Sequence, residues 1–189
     1  MKKQIIVFVA IIAIAIYLLI HREPFLEYVR ASLNNKEYGV QEELPNHTDV
    51  PNKLAKIDNF ITSFITYLSR KYPNDPRVNR LQTRTTDLKI RESEFKAGVS
   101  SYTINKGETM SVCVRNKENK DFHDYQLLLF VIIHELGHIS SVSYGHNEEF
   151  NGNFKWLLDE ARQIGYNPIN YRKQPTVYCG VQVTNNPLF

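Results

Sequence analysis

Apolar side chains recur at the spacing of one helix face in the first half of the chain. Between Pro51 and Tyr72 they stand three or four positions apart, at Leu54, Ile57, Ile61, Phe64, Ile65 and Leu68. This period predicts an amphipathic helix, and a proline suits the first position of a helix. The segment Pro73-Asn74-Asp75-Pro76 ends it, and its last two residues are typical of a cap and first residue. A shorter helix is therefore predicted near residues 76–82.

Similar stripes occur in two further stretches. Phe25, Leu26, Val29 and Leu33 share a face, which predicts a short amphipathic helix from Pro24 to about Asn35. The polar residues 36–50 that follow are predicted to be a linker. A longer stripe runs from Phe150 to Ile164, and Gly165 is placed to end that helix.

Between these helices the hydrophobic period changes from helical to alternating. Leu88 and Ile90 alternate with polar residues, as in a half-buried strand. The segments Ser101–Ile104 and Thr109–Arg115 flank a turn in which Gly107 can adopt a positive φ. The pattern predicts a β-hairpin.

The apolar pattern at the N-terminus predicts a membrane anchor. Residues 5–20 contain no charge and span roughly 25 Å as a helix, slightly less than a typical hydrocarbon core. A cleaved signal peptide is the main alternative, but no suitable cleavage site follows residue 20. Lys2 and Lys3 precede the apolar run, which favours a cytosolic N-terminus and a domain on the lumenal or extracellular side. The glycosylation triplet Asn46-His47-Thr48 agrees with that topology.

Composition narrows the possible functions. The net charge of the 189 residues is +3, and without Lys2 and Lys3 it falls to +1, because 21 basic side chains then face 20 acidic ones. That balance gives no strong nucleic-acid signal. The two cysteines, Cys113 and Cys179, exclude a zinc site of four thiolates. They allow one disulfide, although two small buried thiols are the interpretation we favour.

The strongest chemical pattern is His134-Glu135-Leu136-Gly137-His138, which follows the apolar run Leu127–Ile133. This run is long enough to bury a helix. Two imidazoles four positions apart lie on the same face of a helix, which suits two ligands of one zinc ion. Glu135 between them can reach a metal-bound water. The alternative is a buried helix with two hydrogen-bonded histidines, which we favour less.

A catalytic zinc site needs a third protein ligand and an open fourth position. His146 is the first candidate, because Gly145 can end the helix in a left-handed conformation and turn the chain back. Glu160 is the second candidate, since thermolysin-like enzymes take a glutamate from a later helix, but a solvated helix face is the simpler interpretation for it. No metal role is predicted for the remaining histidines, which are His21, His47 and His123.

The stretch from His134 to Ile164 resembles the SprT-like and WLM zinc metallopeptidases. It reads HELGHISSVSYGHNEEFNGNFKWLLDEARQI, which is an HExxH motif, a short loop, a third histidine, an acidic pair, an aromatic residue and an amphipathic helix. The preceding SYTINKGETMSVCVR is similar to the hairpin before the active-site helix of the WLM group. The tail PTVYCGVQV resembles small, membrane-anchored metallopeptidase-like proteins of large DNA viruses. Ser141 and Tyr144 stand where metzincins have glycine and histidine, which excludes that family.

The resemblance implies an α+β, zincin-like core of the minigluzincin type, in which a small sheet packs on the HExxH helix. It also implies a zinc metalloendopeptidase with one Zn²⁺, bound by His134, His138 and His146, and with Glu135 as general base towards a zinc-activated water. Its partner would be a protein or peptide substrate, paired with the strand near 109–115 at the sheet edge as in the relatives. The candidates for a hydrogen-bond donor to the oxyanion are Tyr144, Tyr171 and Tyr178. For each of them, ordinary packing is the simpler role.

These patterns divide the chain into three parts. Residues 1–21 are expected to be a transmembrane anchor that contacts the lipid bilayer through residues 5–20. Residues 22–50 are expected to be a juxtamembrane helix and linker, and residues 51–189 the metallopeptidase-like domain. The expected location is a single-pass membrane protein, in a viral or virus-modified membrane if the viral likeness holds. The alternative function is a membrane-anchored zinc-binding structural or assembly module without significant proteolysis. An enzyme that cleaves glycans is a further alternative, but nothing in the sequence resembles a cell-wall-binding motif.

Overall fold

The computed structural model describes residues 26–42, 44–46, 48–96 and 98–189, together with Phe8, Ile11 and Ile12. The predicted membrane segment, residues 5–20, therefore lies outside the described residues apart from those three. None of the helices within the described part of the chain is long and apolar enough to cross a membrane.

Strands and helices follow one another in groups, in an α+β arrangement, as the sequence predicts. The strands are β1 (Leu26–Arg30), β2 (Glu37–Gln41), β3 (Lys89–Glu92), β4 (Tyr102–Ile104), β5 (Thr109–Val112), β6 (Thr176–Tyr178) and β7 (Val181–Val183). The helices are α1 (Val50–Lys71), α2 (Pro76–Arg84), α3 (Tyr125–Ser140) and α4 (Glu148–Ala161), and a 3-10 turn follows α4 at Arg162–Ile164.

Five strands form one mixed sheet in the order β1-β2-β3-β5-β4. The pairs β1–β2 and β5–β4 are antiparallel, whereas β2–β3 and β3–β5 are parallel. β4 is therefore an edge strand, and the longer segment β5 lies inside the sheet. β6 and β7 form a separate antiparallel hairpin near the C-terminus.

Helices α1 and α2 confirm the predicted elements at the start of the domain. One face of α1 is buried in the core, including Leu54, Ile57, Phe60, Ile61, Phe64 and Leu68. α2 begins as expected, because the Asp75 carboxylate accepts a hydrogen bond of 2.8 Å from the backbone N–H of Arg77. Such a cap satisfies a backbone donor that has no partner within the helix.

Helix α3 lies in the hydrophobic core, as its apolar run requires. Asp124 caps its N-terminus by accepting bonds from the N–H groups of Gln126 and Leu127. Gly137 lets α4 approach closely, because a Cβ atom there would lie 3.0 Å from the ring of Phe150. α3 and α4 are thus held in contact beside the HExxH motif.

The helix predicted from Pro24 to Asn35 is wrong for the described residues. Residues 26–41 instead form the β1–β2 hairpin, so the predicted linker over 36–50 is also wrong where β2 lies. Asn35 takes a φ of 59° in the turn, which a helix does not tolerate. Long-range pairing decides the outcome, since Gly39 in β2 pairs with Arg91 in β3. Pairing in the sheet overrides the weak helical period of four apolar residues.

A buried ion pair helps to fix β2 in the sheet. The Glu92 carboxylate accepts bonds from the guanidinium of Arg115 at 2.6 and 2.7 Å and from the backbone N–H of Gln41 at 2.8 Å. Both charged side chains are almost completely buried. The pair is fully hydrogen-bonded, which offsets the cost of removing two charges from water.

The two cysteines form a disulfide rather than two separate thiols, contrary to the interpretation favoured from the sequence. Cys113 follows β5, and Cys179 lies 66 positions further along the chain, in the turn between β6 and β7. Both side chains are buried. The disulfide therefore attaches the C-terminal hairpin to the main sheet.

Reduction of this disulfide should destabilise the protein. A link across 66 positions restricts the unfolded chain, so its loss is expected to lower the free energy of unfolding by about 2 to 4 kcal/mol. Urea denaturation with and without a reductant measures this change. The double variant Cys113→Ala/Cys179→Ala is the control, and its curve should not respond to the reductant. Identical curves for the natural chain under both conditions would show that the bond contributes nothing to stability.

Candidate metal centre

Three imidazoles meet at the C-terminal end of α3. His134 and His138 lie one turn apart on this helix, and their Nε2 atoms are 3.2 Å apart. His146 comes from the loop after the helix, and its Nε2 lies 3.1 Å from that of His134 and 3.2 Å from that of His138. The structure thus brings together all three histidines that the sequence suggested as ligands.

The spacing of these nitrogens fits a tetrahedral zinc ion. Zinc binds imidazole nitrogens at about 2.0 to 2.1 Å, which places two ligands of a tetrahedron about 3.3 Å apart. Burial, together with the charges of the neighbouring imidazoles, lowers the pKa of His134 to about 3. Burial also lowers the pKa of His138 to about 4, with smaller contributions from His146 and Lys106. Both rings are therefore neutral at pH 7 in the metal-free protein, which is the form that binds metal.

Phenylalanines of α4 hold the imidazoles in place. The ring of Phe150 stacks on that of His138 with a centroid distance of 4.2 Å, and it meets His134 and His146 edge-on, each at 4.8 Å. Phe154 also contacts His134 edge-on at 5.1 Å. These contacts restrict ring rotation, so the nitrogens are orientated before a metal arrives.

Glu135 lies between the two helical histidines and is only 5% exposed. The Thr103 hydroxyl, on edge strand β4, donates a hydrogen bond of 2.8 Å to one of its carboxylate oxygens. Burial raises the pKa of Glu135 to about 7, although the bond from Thr103 opposes the shift. A carboxyl with a pKa near neutrality can both accept and release a proton at pH 7.

The loop that carries His146 is fastened by Glu149 in the first turn of α4. Its carboxylate accepts bonds from the N–H groups of Val142 and Ser143 at 2.7 and 2.9 Å, and from the Ser143 hydroxyl at 2.5 Å. These bonds hold the pKa of Glu149 at about 2. Gly145 has a φ of 81°, but it does not end the helix as predicted, since α3 stops at Ser140. Its left-handed conformation turns the loop immediately before His146.

Three cationic side chains hold the C-terminal end of α3. Arg80 donates to the carbonyl of Ser140 at 2.5 Å, and Arg84 donates to those of Ile139 and Ser141 at 2.6 and 2.8 Å. The Lys106 ammonium donates to the carbonyl of Ser141 at 2.9 Å and also bonds that of Ser143. Cations at this end of a helix satisfy unpaired carbonyls and interact favourably with its dipole.

None of these supporting residues was predicted from the sequence. The arginines Arg77, Arg80 and Arg84 recur at helical spacing on α2, and this stripe was the available signal. No local pattern pairs Thr103 with Glu135, because 32 positions separate them. Only the packing of β4 against α3 reveals that contact.

Glu160, the second candidate for the third ligand, lies elsewhere. Its carboxylate accepts hydrogen bonds from the hydroxyls of Tyr67 and Tyr72 and from the ammonium of Lys71, all on or next to α1. Burial would raise the pKa of Glu160, but these bonds hold it below its ordinary value. Glu160 thus joins α4 to α1 and is not brought to the histidines.

The other residues considered from the sequence have different surroundings. His123 lies beside the disulfide, with its Nε2 3.3 Å from the Cys179 sulfur, whereas His21 and His47 lie outside the described residues. Tyr144 is 81% exposed in the loop before His146. Tyr171 is buried, and the buried Tyr178 hydroxyl lies 2.5 Å from that of Ser101.

The prediction that strand 109–115 pairs with a substrate is wrong, because β5 is enclosed between β3 and β4.

Two cavities flank the histidines. One, of about 400 Å³, lies towards the C-terminal hairpin and is lined largely by apolar side chains. The other, of about 410 Å³, lies towards β4 and the loop before His146, and its lining includes Thr103, Asn105, Lys106 and Tyr144. His134, Glu135 and His146 border both cavities, so a molecule extending from one to the other passes the reactive groups.

The sequence is similar to uncharacterised proteins of large DNA viruses. No model of a known protein family matches the chain. An uncharacterised protein of Acanthamoeba polyphaga mimivirus, R325, is 28% identical over 190 residues, which covers 98% of this chain and 96% of the relative. The uncharacterised protein 136R of Invertebrate iridescent virus 6 is 37% identical over 76 residues, which covers 39% of this chain and 42% of the relative. These relatives confirm the expected likeness to proteins of large DNA viruses.

A solved structure also shares the fold. The crystal structure of Wss1 from Saccharomyces cerevisiae superposes with a TM-score of 0.50 at 16% sequence identity, covering 66% of this chain and 86% of Wss1. At that identity the likeness concerns the fold alone. It supports the WLM-like, α+β fold expected from the motif.

The raised pKa of Glu135 gives a test of the site in the metal-free protein. Because the folded state favours the protonated carboxyl, ionisation of Glu135 destabilises the fold. This destabilisation is absent well below pH 4.5 and grows until the pH exceeds about 7. Glu135→Gln removes this effect. The free energy of unfolding of the variant, relative to the natural chain, should therefore rise by about 3 kcal/mol between pH 4.5 and pH 8.

Urea denaturation in the presence of a chelator measures this difference at both pH values. Glu118→Gln, in an exposed loop, is the matched control and should show little pH dependence. An effect of Glu135→Gln that is the same at both values would contradict the desolvation of this carboxyl.

Proposed function

We propose that this chain is a zinc-dependent metalloendopeptidase whose metal is held by His134, His138 and His146. The observation that carries the proposal is the meeting of three imidazole Nε2 atoms within 3.2 Å, next to a buried glutamate. The WLM-like fold supports it, because Wss1, a structure with that fold, superposes on 66% of this chain.

Glu135 would act as the general base and then the general acid. When bound, a zinc ion supplies Lewis acidity, which lowers the pKa of a coordinated water and polarises the substrate carbonyl. Glu135 takes a proton from the water that attacks the peptide carbonyl, and it returns this proton to the leaving amine. Thr103 holds the carboxylate in place through its hydroxyl bond, and Phe150 and Phe154 keep the imidazoles aligned.

The edge strand β4 would receive the substrate backbone, in place of the segment 109–115 suggested by the sequence. Its one neighbour in the sheet is β5, and its Thr103 contacts Glu135 directly. An extended peptide can add to such an edge through main-chain hydrogen bonds. Its carbonyl would then pass the reactive carboxylate. Tyr144 borders the same cavity and is exposed, so it is available to contact the peptide.

The enzyme would work attached to a membrane. Residues 5–20 remain the proposed anchor, with the N-terminus cytosolic and the domain on the lumenal or extracellular side, in a viral or virus-modified membrane. The Cys113–Cys179 disulfide supports this topology, because such bonds persist mainly in oxidising compartments.

Metal content and peptide cleavage test the proposal together. The full chain, purified in mild detergent, should bind one zinc ion per molecule and cleave peptides in a library. Glu135→Gln should keep the metal but reduce cleavage by about 10² to 10⁴, the usual contribution of general acid–base catalysis. His146→Ala should lose most of the metal and the activity.

His123→Ala is the matched control, because this histidine lies beside the disulfide and outside the triad. It should keep both zinc and cleavage. Stoichiometric zinc without cleavage would favour the alternative function, a zinc-binding structural or assembly module. Equal loss of zinc in His123→Ala and His146→Ala would contradict the assigned ligands.

A further inference from the structure

The cavity on the C-terminal side of the histidines has an apolar floor, and its lining also includes polar side chains, among them Gln182, Thr184 and Asn185. Its volume is about 400 Å³, and one end opens to His134, Glu135 and His146. Most of its apolar lining comes from three elements: Phe130 and Val131 from α3, Phe150 and Phe154 from α4, and Val181 and Val183 from β7. Among the described lining residues, Glu135 is the one carboxylate, and none is a lysine, an arginine or an aspartate.

The floor is fixed by ring packing. The rings of Phe130 and Phe154 meet edge-on at 5.4 Å, and Phe150 stacks on Phe154 at 5.7 Å. Tyr171 supports Phe130 from the other side at 5.0 Å. All four side chains are buried, so the cavity is not a product of loosely packed surface residues.

The C-terminal hairpin, β6–β7, forms the wall that faces this floor. It is fastened by the Cys113–Cys179 disulfide and by the contact of the Tyr178 hydroxyl with that of Ser101. Tyr178 pairs with Val181 in the hairpin, and both line the cavity. The wall therefore keeps its position relative to Glu135, which a specificity pocket requires.

The cavity on the other side of the reactive centre differs in charge. Its cavity is bordered by Asn105, Thr103 and the Lys106 ammonium. Burial and the nearby arginines lower the pKa of Lys106. A bound peptide thus meets a lysine on one side of Glu135 and, on the other side, a cavity whose described lining holds no lysine, arginine or aspartate.

We infer that the apolar cavity receives one large apolar side chain of the substrate, aromatic or leucine-like, from a residue next to the cleaved bond. This inference rests on the proposed peptidase function and adds the substrate class. A volume of this size lies within the range of small-molecule pockets, so it accommodates one such side chain. Burial of a large apolar side chain favours binding, whereas a charged one would be desolvated without a partner.

Amino-acid hydroxamates test the cavity separately from catalysis, because they chelate zinc and carry a single side chain. We expect phenylalanine hydroxamate to bind the zinc-loaded full chain at least about tenfold more tightly than glycine or lysine hydroxamate. Calorimetry measures the three affinities. In a peptide library, cleavage should occur with an apolar residue at one fixed position relative to the cleaved bond.

Two variants on the hairpin test whether the preference for phenylalanine hydroxamate arises in this cavity. Val181 is 47% exposed and lines the cavity, and Val177 is 40% exposed but does not line it. Val181→Asp should reduce the preference for phenylalanine over glycine hydroxamate to about threefold or less. Val177→Asp should leave it unchanged. The comparison of the three hydroxamates on the natural chain does not depend on how either variant folds.

The possible results separate this inference from the proposed function. Equal affinities for the three hydroxamates, or cleavage without any apolar preference, would overturn the assigned cavity. A preference for phenylalanine hydroxamate without cleavage of any peptide would overturn the peptidase function while supporting the side-chain site. A preference that Val177→Asp and Val181→Asp reduce equally would also overturn the assignment.

Discussion

Three imidazole nitrogens lie within 3.2 Å of one another, and much of the domain serves to keep them there. Two come from one turn of a buried helix, so their separation is set by helix geometry. The third comes from a loop, and a loop position requires support from outside. Glu149 bonds the backbone of that loop, and Arg84 and Lys106 hold the helix end from which it departs.

Those supports explain why helix α2 and edge strand β4 pack where they do. α2 contributes the arginines that bond the carbonyls at the end of α3. β4 contributes Thr103 to Glu135, and the turn after it brings Lys106 to the loop. The same edge strand is the surface on which a peptide would lie. Positioning of the metal ligands and access for a substrate thus depend on the same few elements.

The sequence predicted those features that depend on local geometry. The helical spacing of His134 and His138, the buried run before them and the Asp75 cap all follow from periods and signals within a few residues. The β1–β2 hairpin, the enclosure of β5 and the Cys113–Cys179 bond depend on contacts between distant segments. No short stretch of the sequence contains both partners of these contacts. A weak helical stripe therefore gave the wrong prediction for residues 24–35. His146 was found because its loop is short.

The fold also holds a second group of potential ligands, namely Cys113, His123 and Cys179. Its two sulfurs are joined in a disulfide, so they are not available as thiolates. Zinc is therefore expected to bind the three histidines. X-ray absorption spectroscopy of the zinc-loaded full chain tests it most directly. Nitrogen and oxygen scatterers at about 2.0 to 2.1 Å, including three imidazoles, are the predicted result. A sulfur shell at about 2.3 Å would place the metal at the cysteines and contradict the account.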